Sequence, residues 1–239
     1  MLLHKLFRVA LAALAAVAFI PAAQAQAPAP AEWEAGKHYF IIDPPLPTTS
    51  GDKIEVTEVF SYGCPACNFS YPSIDKLKKA LPPNAVMNFV PASFNPSEDW
   101  PMFQRAYLAA KALGISEKTH DAIFDAVWKS GELATMDKAT NKLKSPQPPI
   151  EEAAKVYAKL AGIKEDEFLA TANSFTINTR MKQADAYIKA AGVEVTPTII
   201  VNGKYRLTTT SASPGVNDWT RAEQLILWLV QKESGKAAK

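Results

Sequence analysis

Cys64 and Cys67 are the only cysteines in this chain of 239 residues, and two residues separate them. Residues three apart on a helix lie on one face, close enough for their side chains to form a disulfide. Such a pair exchanges with other thiols when a thiolate attacks a disulfide sulfur. The spacing therefore predicts redox chemistry, in preference to two unrelated buried thiols.

A structural disulfide and a metal site are the alternative uses of the pair. A disulfide across so few residues restricts the unfolded chain little and adds little stability. Zinc needs four ligands, but His38 and His120 are the only histidines after residue 25. We expect no metal and no cofactor other than the Cys64–Cys67 disulfide. A non-enzymatic metal carrier that uses the cysteine pair stays as a second hypothesis.

The pair lies where a predicted strand ends and a predicted helix begins. Residues 53–60 alternate between apolar and polar residues as a strand does, and Pro65 suits the first position of a helix. The helical spacing after Gly63 involves Phe69, Ser73, Leu77 and Ala80. Free N–H groups and the helix dipole at this end favour a thiolate at Cys64, whereas Cys67 should be more buried.

The first 25 residues are predicted to be a secretory signal peptide. Lys5 and Arg8 precede a short apolar run, which small residues follow at 23–25. Twelve apolar residues are too few to cross a hydrocarbon core of roughly 30 Å, so no membrane span is expected. Without Lys5 and Arg8 the 26 basic residues become 24, equal to the 24 acidic ones. A neutral protein offers no electrostatic reason to bind nucleic acid.

The order of elements predicts an α/β fold with an inserted all-helical domain. After a flexible leader at 26–35, residues 36–94 and 193–236 supply the strands and the helices that flank them. The insert at 95–192 shows helical spacing and no strand, with a loop at 130–149. His120 is predicted to be a surface histidine on one of these helices. Asn202-Gly203 is a strong signal for a hairpin turn.

Three features together resemble the DsbA family of bacterial periplasmic thiol:disulfide oxidoreductases. They are Glu-Val-Phe-Ser-Tyr-Gly-Cys-Pro-Ala-Cys at 58–67, Val-Thr-Pro-Thr-Ile-Ile-Val-Asn-Gly at 195–203, and the helical segment between them. The resemblance extends over about residues 36–233 and implies a thioredoxin-like fold with a helical insert.

The resemblance also implies roles for particular residues. Cys64 would be the nucleophile and Cys67 the resolving thiol, with Pro197 as a cis proline that faces them. The residues expected to bind client protein are Pro65, Ala66 and Thr196. An acid at Glu58 would lie beneath Cys67 and exchange its proton; the alternative is a surface residue of the strand.

The implied activity is donation of the Cys64–Cys67 disulfide to cysteine-containing exported proteins in the periplasm. The implied partner for reoxidation is a DsbB-like membrane quinone reductase. Isomerases of this fold usually carry a separate dimerisation domain, for which the short segment from Gln26 to Trp33 leaves no room, so we expect a monomer. Ala66 stands where the family usually has His, which leaves an isomerase or a reductase of the same fold as the alternative.

Overall fold

The computed structural model describes residues 33–209 and 215–237, so the predicted signal peptide and residues 26–32 of the predicted leader lie outside the described part. In chain order the first elements are β1 (Phe40–Ile41), β2 (Ile54–Phe60), α1 (Pro65–Ala80) and β3 (Ala85–Pro91). A 3₁₀ turn at Pro96–Glu98 precedes α2 (Trp100–Ala112) and α3 (Ser116–Trp128). There follow β4 (Met136–Asp137), β5 (Lys142–Leu143), α4 (Ile150–Ala161), α5 (Glu165–Ala172), α6 (Phe175–Ala190), β6 (Thr198–Val201), β7 (Tyr205–Leu207) and α7 (Trp219–Ala237).

Five strands form one mixed sheet in the order β1-β7-β6-β2-β3. Strands β2 and β3 are parallel, and the other pairs are antiparallel. Alternate residues of β2 face opposite sides, so Val56 packs with α1 and α7 while Val59 packs in the core that includes α2 and α6. Helices therefore cover both faces of the sheet.

Helix α1 forms as the spacing predicts, but of the four residues that show the spacing only Leu77 is buried. Its buried residues are Cys67, Ser70, Ile74 and Leu77. Phe69 is 81% exposed. Both sets recur at helical spacing, and the packing of α1 against the sheet selects the face that contains Cys67.

The segment predicted to be purely helical contains five α-helices, α2 to α6, and also a short hairpin. Strands β4 and β5 pair at Met136–Leu143 and Asp137–Lys142, so the prediction of no strand at 95–192 is wrong. Strands of two residues are too short to show the alternation of apolar and polar residues by which a strand is recognised in the sequence. Local turn chemistry holds them instead, because the Asp137 carboxylate accepts hydrogen bonds from the backbone N–H groups of Ala139 and Thr140.

The predicted hairpin between β6 and β7 is confirmed. Asn202 and Gly203 both have positive φ, 53° and 64°, as a two-residue hairpin turn requires. A Cβ at Gly203 would lie 2.2 Å from the Leu46 carbonyl oxygen, so only glycine fits there. Across residues 33–209 and 215–237, no helix has both the length and the apolar character needed to span a bilayer.

Candidate active site

Cys64 occupies the N-cap of α1, immediately after the loop that leaves β2. Its backbone is extended (φ −86°, ψ 119°), and its Sγ accepts a hydrogen bond from the Cys67 N–H at 3.4 Å. Both cysteines are free thiols; Cys64 is 5% exposed and Cys67 is fully buried. The arrangement gives the two sulfurs different access to solvent, as the sequence predicts.

The two thiols also differ in acidity. The Cys67 thiol donates to Cys64 Sγ and is the main cause that lowers the pKa of Cys64. The Thr196 side chain and the backbone N–H groups of Cys67 and Ala66 lower this pKa further, against the opposing effect of burial. Burial, and then the neighbouring Cys64, raise the pKa of Cys67. Cys64 is therefore the thiolate of the reduced pair.

The loop before β6 lies against Cys64. The Thr196–Pro197 peptide bond is cis, as predicted. The Thr196 carbonyl oxygen is 3.4 Å from Cys64 Sγ and accepts its hydrogen bond when the thiol is protonated. Thr208 Oγ1 donates to the Pro197 carbonyl at 3.0 Å and fixes the far side of the loop. On the other side of Cys64, Pro65 and Ala66 are exposed at the start of α1.

Glu58 is buried in the sheet, with 2% of its surface exposed. It lies on β2 opposite Ile199 of β6 and Phe89 of β3. Burial, and then the negative charge of Cys64, raise the pKa of Glu58 to about 8. Glu58 in turn raises the pKa of Cys67. The alternative prediction of a surface strand residue is therefore wrong, and an acid that is neutral at pH 7 lies near the buried thiol.

A buried Tyr62–His120 pair supports the loop before Cys64. Tyr62 Oη and His120 Nδ1 are 2.9 Å apart, and Trp128 Nε1 donates to the Tyr62 carbonyl at 2.8 Å. Burial, followed by the charge of Lys78, lowers the pKa of His120 to about 3, so the imidazole is neutral. The predicted surface position of His120 is wrong. Its spacing to Phe124, four residues on, is the signal that places it on the apolar face of α3.

Trp100, which the sequence predicts to be a core or rim aromatic, is buried next to the site. Its indole lies against Gly63, such that a Cβ on Gly63 would be 2.7 Å from Trp100 Nε1 and 2.8 Å from Cδ1. Trp100 Nε1 donates to the Glu98 carboxylate at 3.3 Å. The glycine next to Cys64 is thus required for close packing, and it has no positive φ.

Replacing Gly63 by Ala should lower the free energy of unfolding by about 1–3 kcal/mol, because a buried ring must move to make room. Urea unfolding measures the change. Gly235→Ala on α7 is the matched control, since its new Cβ has no atom within 4 Å; it should be neutral or stabilising by about 0.5–1 kcal/mol. Adding Trp100→Phe to Gly63→Ala should recover part of the loss. Equal destabilisation by the two glycine substitutions would contradict this packing.

The described residues contain no group of three or more His, Cys, Asp or Glu side chains placed to hold a metal ion. What the arrangement can do is thiol chemistry. It combines an acidic thiol at a helix N-terminus, a buried partner thiol and a buried neutral acid. The structure brings together the sequence-predicted residues Cys64, Cys67 and Thr196 in direct contact.

The fold and the sequence are similar to those of known thiol-exchange proteins. Residues 52–215 match a thioredoxin family model. The thiol:disulfide interchange protein DsbA of Azotobacter vinelandii is 34% identical over 203 residues, which cover 85% of this chain and 87% of that protein. DsbA of Pseudomonas aeruginosa is 32% identical over 208 residues, with 87% and 89% covered.

Solved structures give the same result. The crystal structure of oxidoreductase DsbA from Xylella fastidiosa has a TM-score of 0.71 at 30% identity and covers 84% of this chain and 97% of that one. The crystal structure of Pseudomonas aeruginosa DsbA has a TM-score of 0.69 at 31% identity, with 87% and 97% covered. The predicted fold class is thereby confirmed. The chain belongs to the DsbA family of thiol:disulfide oxidoreductases, which have a thioredoxin-like α/β fold with inserted helices.

Proposed function

We propose that this protein is a periplasmic oxidase that transfers its Cys64–Cys67 disulfide to exported proteins containing free cysteines. The observation that carries the proposal is the asymmetry of the pair. Cys64 has a lowered pKa at a helix N-terminus, whereas Cys67 is fully buried and has a raised pKa. Stabilising the Cys64 thiolate stabilises the reduced pair, which makes the disulfide an oxidant.

In the first step a client thiolate attacks Cys64 Sγ of the protein disulfide. The bond between the two protein sulfurs breaks as a mixed disulfide forms between Cys64 and the client, and Cys67 leaves as a thiolate. Because the pKa of Cys67 is raised by burial, this thiolate takes up a proton. Glu58, whose pKa burial raises to about 8, is the neutral acid that we assign to supply that proton.

In the second step another client thiolate attacks the client sulfur of the mixed disulfide. A client disulfide forms, and Cys64 leaves as a thiolate stabilised by the Cys67 thiol and nearby N–H groups. The client has lost two electrons and the protein has gained them. Glu58 regains its proton from the protons that the client thiols release.

The client segment is proposed to bind beside Cys64 in an extended conformation. Support comes from the loop at Thr196, which lies within hydrogen-bond distance of Cys64 Sγ, because an added strand pairs through its backbone. Pro65 and Ala66 are exposed next to the same sulfur. These three residues are proposed to form the contact surface around the mixed disulfide.

The reduced protein must be reoxidised before the next cycle. We propose a DsbB-like membrane quinone reductase as the electron acceptor, a monomeric state, and export through the signal peptide at 1–25. No cofactor is proposed beyond the cysteine pair. Family membership supports the reoxidation partner and the monomeric state. The sequence of residues 1–25 supports export.

Two measurements on purified oxidised protein test the function. Equilibration with glutathione should give a potential well above the value of about −270 mV that is typical of thioredoxin. Incubation with a reduced, unfolded client protein should produce one client disulfide for each equivalent of protein reduced. A potential at or below the thioredoxin value, together with reduction of client disulfides, would instead assign a reductase.

Replacing Ala66 by His should lower the pKa of Cys64 further and raise the redox potential. An imidazole beside the helix N-terminus can carry positive charge or donate a hydrogen bond, and a methyl group can do neither. Each unit of pKa corresponds to about 30 mV for this two-electron couple. Thiolate absorbance against pH and a glutathione equilibrium measure the two quantities, with Ala66→Gln as an uncharged control. No change in either quantity would show that other groups determine the potential.

A further inference from the structure

A cavity of about 690 Å³ lies between the outer side of β3 and helices α2 and α6, away from Cys64. Its size is within the range of small-molecule sites. Its apolar wall includes Phe89 and Val90 of β3 and Leu108 of α2. The cavity shares no residue with the site around Cys64, so its function is independent of the proposed function.

The only carboxylate among the residues that line this cavity is Glu55, and neutral groups already satisfy it. It accepts hydrogen bonds from the Thr49 N–H and hydroxyl, the Ser50 and Thr57 hydroxyls and the Asn88 amide, at 2.7–3.2 Å. Burial raises the pKa of Glu55, but these hydrogen bonds outweigh it and leave the pKa lowered. Glu55 is thus a fixed anion whose oxygens point toward neutral donors.

Two cations line the same cavity from different helices. Lys111 of α2 is oriented by Asn88, whose amide oxygen accepts from Lys111 Nζ at 2.8 Å while its amide nitrogen donates to Glu55. Arg180 belongs to α6. In the described part of the chain, no carboxylate oxygen lies within 4.0 Å of either cation. A cavity with an apolar wall thus carries two positive charges without an ion-pair partner.

We propose that this cavity binds a monocarboxylate that has an apolar body. The carboxylate lies between Lys111 and Arg180, and the apolar body packs over Phe89, Val90 and Leu108. Charge complementarity and a bidentate guanidinium contact account for the preference for an anion. A neutral molecule of the same shape would leave the two cations with Glu55 as the only anion among the residues that line the cavity, and a dication would be repelled by the cations.

Titration of the oxidised full-length protein with sodium 4-phenylbutyrate tests the site, with 4-phenylbutanamide as the neutral probe of the same shape. Calorimetry gives the affinity, and amide chemical shifts locate the site. We expect the carboxylate to bind about tenfold more tightly than the amide, since it gains charge-assisted hydrogen bonds. Changes in amide chemical shift should be confined to the segments that line the cavity, which are β3, α2, α6 and the chain around Thr49 and Glu55, with none at Cys64.

The variants Lys111→Gln and Arg180→Gln should each weaken binding of the carboxylate and leave binding of the amide unchanged. Lys189→Gln is the matched control, because Lys189 is an exposed residue of α6 outside the cavity. Unfolding curves verify that the variants fold. Equal affinity for carboxylate and amide, or an equal loss in the Lys189 variant, would overturn the proposal.

A peptide that ends in phenylalanine, with either a free or an amidated C-terminus, distinguishes the source of the carboxylate. Binding of the peptide with a free C-terminus supports the site and identifies the C-terminus of a polypeptide as the source of the carboxylate. Binding of 4-phenylbutyrate without the peptide supports the site and assigns a small molecule. Failure of both carboxylates to bind at millimolar concentration would refute the site. Thiol exchange by Cys64 can be measured on the same samples, so failure of this site is distinct from failure of the oxidase function.

Discussion

Replacing Cys64 by Ser should abolish thiol–disulfide exchange completely, whereas Cys67→Ala should accumulate mixed disulfides with client proteins. The reason is access. Cys64 Sγ lies at the N-terminus of α1 next to exposed residues, and Cys67 is fully buried. In the Cys67 variant the Cys64 thiolate attacks a client disulfide, and one client thiolate leaves as the mixed disulfide forms, but no internal thiol remains to displace the client.

Non-reducing gels of the two variants, expressed in cells and alkylated in acid, show the mixed disulfides as bands that disappear on reduction. The variant Cys64→Ser/Cys67→Ala is the control for adducts that do not involve either sulfur. Purified Cys64→Ser should also fail to oxidise a reduced client protein. If the two single variants trapped clients equally, Cys64 would not be the only sulfur that reacts with clients, and the mechanism would be overturned.

Replacing Glu58 by Gln should remove a large pH dependence from the stability of the reduced protein. Burial, followed by the charge of Cys64, raises the pKa of Glu58 from 4.5 to about 8. The folded state therefore holds a proton that the unfolded state has lost between these two values. The contribution of Glu58 to stability falls as pH rises through this window, by up to about 1.4 kcal/mol for each pH unit, and this contribution changes no further above pH 8.

Urea unfolding of the reduced protein from pH 5 to pH 9 measures this effect. The Glu58→Gln variant should become more stable relative to the wild type as pH rises, with the gain complete near pH 8. Glu55→Gln is a matched control on the same strand, because hydrogen bonds lower the pKa of Glu55 despite its burial. Its carboxylate stabilises the fold above pH 4.5 and loses that effect in acid, so the Glu55 variant should be the less stable one at pH 7. If the stability of Glu58→Gln and of the wild type changed with pH in parallel, the pKa of Glu58 would not be raised in the folded protein.

The same substitution should slow exchange, because Gln cannot give a proton to the Cys67 thiolate or accept it back. Stopped-flow mixing with a dithiol peptide, at a series of pH values, measures the rate. The wild-type rate should change with an apparent pKa near 8, and the Glu58→Gln rate should lack that step. This outcome separates a proton-transfer role from a purely structural one, which would change the rate equally at all pH values.

The chemistry of this protein is determined by local sequence. The spacing of Cys64 and Cys67, the strand before them and Pro65 after them are sufficient to place a reactive thiol at a helix N-terminus, because strand alternation and helix capping depend on neighbouring residues. The hairpin at Asn202-Gly203 is predicted for the same reason, since only a few residue types adopt positive φ at both turn positions.

Tertiary structure alone decided which residues surround those thiols. The Thr196 carbonyl reaches Cys64 across 132 positions of sequence, and only the resemblance to a family, not the local pattern, predicted that the neighbouring Pro197 faces the thiols. Glu58 and His120 are buried because the sheet and helix faces on which they lie are covered by other elements. Which face of α1 is buried, and how far the pKa of Glu58 is raised, depend in the same way on the elements that pack against the helix and the strand. Local patterns specify backbone conformation and periodicity, but long-range packing determines burial, and burial determines the acidity on which the redox function rests.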